Sequence, residues 1–591
     1  MRDLRGVLRT GGVLVCSAPT GIGKTAAALH PMLENALAEG RTVFFITAKT
    51  SQQDLALATL RRMIEPDTGV CAVQIAARER VCPLDGRHCR PERCRYRDTF
   101  QERLAASLLV DDLAGRGVVD AEQVAERSLA RALCPFETSL ALAERARAVV
   151  ADLNYVFDPN VYLRRFFDVP YGRHLLVVDE AHNLPERAVG YYSPELDLAA
   201  LERAIAAGAD SERAILFAEV VDHCRARSAQ LSEERSDPAP WVDELDRGFF
   251  ELAGARAGEL IPGYLGELGA RPTAERGSLH ELDPELALLS SLRDVARCCE
   301  LERELFAALF APDRLKLLCL DPGPLLRERL RGFHTTLCMS ATLAPFEFHQ
   351  QRLGLDDPDV LTLELDSPFP RSNRALLAVP GVRTTFRHRD ANAAPIAQQI
   401  AEAVRVRRGN YLAFFSSFAY RDQVVAALPP PAERGFRVLL QLPGMPAEPT
   451  LALLRRNAGE SLLLCAVLGG VFAEGVDYPG EMACGVFIVG PGLPVPTIER
   501  ELLRAHYDAT RGAGFEYAYV YPGLTRVVQA GGRAIRSAED RAFTVLFDAR
   551  FSHDRYRERL PRSWREELRE VDEPAAAVRE FWESPNLDSI V

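Results

Sequence analysis

No apolar run in this 591-residue chain is long enough to cross a bilayer, so a helical membrane carrier is excluded. The first ten residues, MRDLRGVLRT, lack the apolar core of a secretory leader. There is no internal repeat, no long low-complexity tract and no Cys-x-x-Cys knuckle. A basic balance is also missing. The formal net charge of −12 argues against a uniformly basic nucleic-acid coat, although binding needs only a local basic track. Thirteen cysteines, an odd number without a leader, argue against a disulfide framework and for reduced thiols or metal ligands in a cytosol.

What is present is a chain long enough for roughly four domains, with 47% hydrophobic residues to build their cores. Its organising stretch is Ala18-Pro19-Thr20-Gly21-Ile22-Gly23-Lys24-Thr25. An apolar run, Gly12 to Cys16, precedes it, and a helical pattern, Thr25 to Glu39, follows and closes at Gly40. Strand, Gly-rich turn and helix form the phosphate-loop context, with Ala18 where the strictest signature has Gly. Gly21 and Gly23 let the backbone approach a phosphate, and the helix start turns N–H groups and its dipole toward the anion. Lys24 would reach the β- and γ-phosphates, and the Thr25 hydroxyl would ligate Mg²⁺.

Residues 41–47 read as a buried parallel strand, with Thr47, Lys49 and Thr50 at its C-terminal end as a candidate phosphate-contacting loop. Cys82, Cys89, Cys94 and Cys134 follow, with six, four and thirty-nine residues between them. This spacing leaves an iron–sulfur cluster, a structural zinc and unligated buried thiols all open. Cys71 is a candidate substitute ligand, whereas Cys16, Cys338, Cys465 and Cys484 read as core thiols. Between Arg78 and Arg97, seven arginines stand against three acids, with Tyr96 among them. Such a stretch suits either a nucleic-acid backbone or a solvated charged face.

The run 173–178 is another buried strand, ending in Asp179-Glu180-Ala181-His182. There Asp179 would hold Mg²⁺, and Glu180 would orient and deprotonate the attacking water. From about residue 193 to 325 the pattern is helical, broken at 236–240 and at Ile261-Pro262-Gly263. Strand character returns at 335–339 before Ser340-Ala341-Thr342, and a Pro-rich linker at 366–371 marks a domain boundary. A second α/β series follows, with strands expected at 410–415, 437–441, 462–468, 486–489 and 517–521. Two polar clusters interrupt it. One runs from Gly469 to Asp477 and contains Glu474 and Gly475. The other runs from Gln529 to Arg536, where Arg533 and Arg536 would share a face if helical. The tail beyond 571 reads as peripheral.

In this order, APTGIGKT, TAKT, DEAH, SAT, GGVFAEGVD and QAGGRAIR resemble a superfamily 2 helicase. RERVC, the CRYRDTF stretch from Cys94, CPFE from Cys134, NYVFDP from Asn154 and DEAHNL resemble the iron–sulfur helicases of the XPD/DinG family. The resemblance implies an α/β fold of two RecA-like P-loop NTPase motor domains, with parallel sheets flanked by helices. A small iron–sulfur domain and a helical arch are inserted in the first. The expected boundaries are 1–70, 141–192 and 326–365 for the first motor, 71–140 for the iron–sulfur insertion and 193–325 for the arch. The second motor spans 366–570 and the tail 571–591.

The resemblance also selects a 4Fe–4S cluster on Cys82, Cys89, Cys94 and Cys134 over zinc. It implies ATP and Mg²⁺ as further cofactors, held by residues 18–25, Asp179, Glu180, Asp477, Gln529, Arg533 and Arg536. His182, Ser340, Thr342, Glu474 and Gly475 would couple hydrolysis to movement. The expected activity is 5′ to 3′ translocation on single-stranded DNA, with unwinding of forked or 5′-overhang duplexes in repair or replication. Members carry an adenine-contacting Arg/Gln motif upstream of the phosphate loop, and the seventeen residues before Ala18 show no counterpart. A monomer in a bacterial cytosol or nucleoid is expected. The competing readings are a DNA-stimulated translocase that does not unwind and a redox-responsive DNA-binding protein.

Overall fold

The computed structural model describes residues 2–19, 21–84, 94–168, 170–207, 211–270, 283–457, 460–474, 476, 478–535, 537 and 539–584. The short apolar runs become strands. β1 (Gly12–Ser17), β2 (Val43–Ile46), β3 (Ala72–Ile75), β4 (Val118–Val119), β5 (Ala148–Ala151) and β6 (Leu175–Asp179) come first in the chain. An insertion then carries β7 (Glu195–Asp197), β8 (Trp241–Asp243), β9 (Phe306–Ala311) and β10 (Arg314–Cys319). β11 (Thr335–Ser340) and β12 (Leu361–Glu364) return to the first sheet, whose order is β12-β1-β11-β6-β2-β5-β3-β4.

β6 runs parallel to both β2 and β11, with Leu175 beside Val43 and Thr335. Every residue of β2 and β6 is buried. Sheets covered on both faces need no polar alternation, which is why these strands read as continuous apolar runs. Parallel pairing also brings the C-terminal tips of β2 and β6, Ile46 and Asp179, to the same edge.

The insertion at 193–325 corrects the purely helical expectation. Its helices Ser211–Glu234, Arg247–Ala270 and Pro284–Cys299 share a core with an antiparallel sheet ordered β7-β10-β9-β8. β7 and β8 were hidden because they have three residues each, too few to show a period. The six-residue β9 and β10 were missed as well. Pro262 does not end its helix but lies inside it. At Gly254 a Cβ would stand 2.2 Å from the Ala296 Cβ, so glycine is what allows the two long helices to approach.

The second sheet comprises β13 (Arg374–Val379), β14 (Asn410–Phe415), β15 (Arg437–Leu440), β16 (Leu462–Val467), β17 (Gly485–Val489), β18 (Ala542–Phe547) and β19 (Leu568–Glu570). Its order is β15-β16-β14-β17-β18-β13-β19, and the pairs are parallel throughout. Along β14, Leu412 and Phe414 enter one core while Tyr411, Ala413 and Phe415 enter the other.

Two expectations for this sheet are corrected. Residues 517–521 form no strand: Glu516–Val520 is a π-helical turn and Tyr521–Gly531 an α-helix. Tyr517 stacks on Tyr507 at 4.3 Å, so packing of the aromatic rings overrides their strand preference. The tail is not peripheral through 584 either. The helix Pro574–Glu583 buries Ala577, Val578 and Phe581 in the core on one face of the second sheet.

The chain divides into two compact units. One comprises residues 1–15, 25–339 and 350–361, and the other comprises 16–24, 340–349 and 362–591.

Candidate functional site

The phosphate loop leaves the buried end of β1. Gly21 and Gly23 have φ of 83° and 77°, a left-handed conformation that side chains with a Cβ rarely adopt. Lys24 opens the helix Lys24–Glu39 and folds its ammonium back onto the Ala18 carbonyl at 3.1 Å. The Ala18 N–H donates to the Ser340 carbonyl at 2.8 Å. Thr25 is buried behind the loop. Thr20 lies outside the described residues.

At the tip of β6, Asp179 is buried and its carboxylate accepts the Glu180 N–H at 3.0 Å. Glu180 has φ 51° and ψ 45°, a left-handed backbone for a residue with a Cβ. Strain of this kind concentrates at functional sites. The turn lifts the Glu180 side chain to the strand edge. There Oε2 lies 3.3 Å from His182 Nδ1, and Oε1 accepts the Gln52 amide at 3.1 Å. The Thr47 hydroxyl, at the end of β2, donates to the Gln52 side-chain oxygen. Glu180, His182, Thr47 and Gln52 therefore meet at one edge. Gln52 was missed in the sequence, where one glutamine in a helix carries no signal until the parallel register of β2 and β6 aligns their tips.

After β11, Ser340 and Thr342 are both buried, their hydroxyls 3.4 Å apart, and the Thr342 N–H donates to Ser340 Oγ at 3.2 Å. In the second unit, Arg533 lies past the end of its helix at Gly531, not on it. Its Nε donates to the Ala473 carbonyl at 3.2 Å and its Nη2 to the Glu474 carbonyl at 2.5 Å. The two polar clusters of this unit are thereby joined. Asp540, also missed, accepts the Gly480 N–H at 3.0 Å and the Ser537 N–H at 2.8 Å, joining the same two loops. Gln529 is half-buried on the helix before them. Gly475, Asp477 and Arg536 lie outside the described residues.

Cys82 follows the short helix Arg78–Val81, and Cys134 is the N-cap of the helix Pro135–Arg145. Around that helix start, Arg78 stacks on Phe136 at 4.6 Å and Arg97 pairs with Glu137 at 3.1 Å. Arg103 donates to the Arg95 carbonyl at 2.9 Å, the Asp98 carbonyl at 3.2 Å and the Ala132 carbonyl, tying the turn after Cys94 to the turn before Cys134. The three described cysteines thus flank elements in mutual contact, beside a helix start that favours an anionic ligand. Their donor chemistry, thiol sulfur, is the kind an iron–sulfur cluster takes. Cys89 lies outside the described residues, and among the described residues no three metal-ligating side chains are grouped around one ion position. Burial pushes the Cys71 thiol up, away from the thiolate a ligand needs. Cys338 and Cys465 are pushed up to about 12 by burial and are core thiols.

Comparison with known proteins follows the same lines. Residues 45–201 match the DEAD_2 family model, and residues 400–567 match the Helicase C-terminal domain. The chain is 22% identical to the ATP-dependent DNA helicase CHL1 of Coccidioides immitis, over 82% of this chain and 64% of that protein. It is 20% identical to the XPD helicase subunit of the general transcription and DNA repair factor IIH of Schizosaccharomyces pombe, over 95% of this chain and 87% of that one. The chain therefore spans less than two-thirds of the CHL1 relative's length. Among solved structures, an XPD helicase superposes with a TM-score of 0.62 at 17% identity, covering 96% of this chain and 98% of that one. That likeness is one of fold. Two helicase domain models thus match in this order, and the chain is similar to XPD-like helicases of superfamily 2.

Proposed function

We propose that the chain is an ATP-dependent DNA helicase. It moves 5′ to 3′ on single-stranded DNA and opens forked or 5′-overhang duplexes, in repair or replication. The observation that carries this reading is the pair Asp179–Glu180 at the tip of β6. One carboxylate is buried against the backbone, and the other is turned out by a left-handed residue beside His182. The names of the relatives support the same activity.

An incoming triphosphate would draw the Lys24 ammonium off the Ala18 carbonyl and onto its β- and γ-oxygens. The N–H groups of residues 21–25 would surround the same phosphates. Thr25 and Asp179 would hold Mg²⁺, whose charge offsets that of the phosphates. Glu180 would orient a water and take its proton, with His182 steadying the carboxylate. Arg533 and Arg536 would add guanidinium charge at the γ-phosphate, and Gln529 a neutral amide donor. Ser340, Thr342, Glu474, Gly475 and Asp477 would carry the change in nucleotide state to the DNA track. Cys82, Cys89, Cys94 and Cys134 would hold a 4Fe–4S cluster, which would cross-link their loops into a rigid separator. The cysteine usage supports a reducing cytosol, and a monomer suffices for the activity.

Strand displacement on substrates of both polarities, with iron assayed on the same anaerobic sample, tests the reading. Displacement of a 5′-overhang duplex that Lys24→Ala abolishes is the expected result. ATP hydrolysis stimulated by DNA without displacement would leave only a translocase. Cys134→Ser is expected to lose iron and unwinding while keeping nucleotide binding. An iron-free wild-type protein that still unwinds would remove the cluster from the account.

A further inference from the structure

We propose that Gln52 is a brake on Glu180 that bound nucleic acid releases. It would be a positioning residue that makes hydrolysis depend on the strand. The inference rests on Glu180 being the base. It begins with the orientation of one amide. The Thr47 hydroxyl donates to Gln52 Oε1, so the NH₂ end is the one facing Glu180, whose Oε1 accepts it at 3.1 Å. A carboxylate oxygen that already accepts a hydrogen bond has its direction set by its donor rather than by a water. Glu180 is thus ordered but turned toward the helix Thr50–Leu60.

The same helix is held from its other side. Gln53, next to the brake, accepts the Gln74 amide at 3.1 Å, and Gln74 Oε1 accepts the Ala121 N–H at 3.1 Å. Ala121 opens the helix Ala121–Ala130 in the cysteine-bearing insertion, where Asp120 and Gln123 form a capping box. At the start of the helix Thr50–Leu60, Arg80 Nη1 stands 3.5 Å from the exposed Thr50 hydroxyl. Arg80 lies two residues before Cys82. Consecutive glutamines therefore face two different partners, the catalytic carboxylate and the insertion. A phosphodiester drawn to Arg80 and Thr50, or a shift of the insertion as it meets a strand, acts on the element that holds Glu180. The link between that element and Glu180 is the hydrogen bond from the Gln52 amide.

The test measures ATP hydrolysis by the full chain with and without a saturating DNA single strand. Gln52→Ala and the volume-preserving Gln52→Leu are expected to raise the DNA-free kcat about tenfold, the worth of one hydrogen bond to a charged group. KM for ATP should stay unchanged, and the DNA-saturated kcat should stay within about twofold. Stimulation by DNA then collapses from below, a pattern that a merely structural role would not produce. Gln74→Leu cuts the opposite side and is expected to leave the DNA-free rate alone while lowering the DNA-saturated one. If both Gln52 variants lose the two rates in the same proportion, or leave the DNA-free rate unchanged, the brake is overturned. If Glu180→Gln hydrolyses ATP as fast as wild type, the base assignment fails first and takes the brake with it. A dead Glu180→Gln together with unchanged Gln52 variants removes the brake alone.

Discussion

In the first sheet β6 ends in Asp179 and Glu180; in the second, β18 is followed by Asp548. All three are acids at the C-terminal tip of a parallel strand, where open α/β sheets place their chemistry. Their surroundings differ. The Glu180 side chain is 19% exposed and meets an amide and an imidazole, contacts that can be given up. The Asp548 side chain is 2% exposed and takes both arms of Arg550, at 2.8 and 2.9 Å, and the Thr384 N–H at 2.8 Å. Burial alone would push the Asp548 carboxyl up, but the hydrogen bonds and charge of Arg550, with the Thr384 hydroxyl, hold it below the usual carboxylate range. The same address in a fold gives a working group when its partners are weak. It gives a structural anchor when the charge is already neutralised.

Exchanging the polarity of each acid breaks this comparison most sharply. Glu180→Gln is expected to slow hydrolysis about 10²–10⁴-fold, the usual worth of a general base, with the unfolding midpoint unchanged. Single-turnover hydrolysis alongside thermal melting checks both halves. Arg550→Met should do the reverse, costing about 3–5 kcal/mol of stability because it leaves a buried carboxylate unpaired.

The pH dependence sharpens the contrast. In the wild type the depressed Asp548 contributes stability above the ordinary carboxylate range, and that contribution is lost as pH falls through its lowered value. In Arg550→Met the guanidinium charge is gone while burial and the hydrogen bonds from Thr384 and the backbone remain, so the stability lost on acidification should be smaller than in the wild type. Denaturant titrations at pH 7 and pH 4 read the difference. The smallest effect belongs to the insertion that interrupts the first sheet. Its capping residue Asp120 accepts the Gln123 N–H at 2.9 Å and pairs with Arg61 at 2.7 Å. Asp120→Ala is expected to cost about 1 kcal/mol, measured by local hydrogen exchange in the helix Ala121–Ala130.

The parts legible beforehand share a property: their information is local. A Gly-x-Gly-Lys turn, an acid pair after an apolar run and a four-residue buried strand each declare themselves within ten residues. Strands β2, β6, β14 and β16 were legible for that reason. β7, β8 and β19 were not, because three residues show no period. The aromatic stretch 517–521 was misread because strand preference is a statement about packing partners, and Tyr507 decided otherwise.

By itself, then, the sequence determined the two α/β halves, the phosphate loop and the acid pair, since backbone conformation and hydrophobic period are short-range quantities. Only the tertiary structure decided that Gln52 lies against Glu180 and that Arg533 joins two loops sixty residues apart. It also decided that Asp548 is sealed rather than poised. Those facts follow from strand register and from which charges burial leaves paired, and neither is encoded in any one stretch of chain.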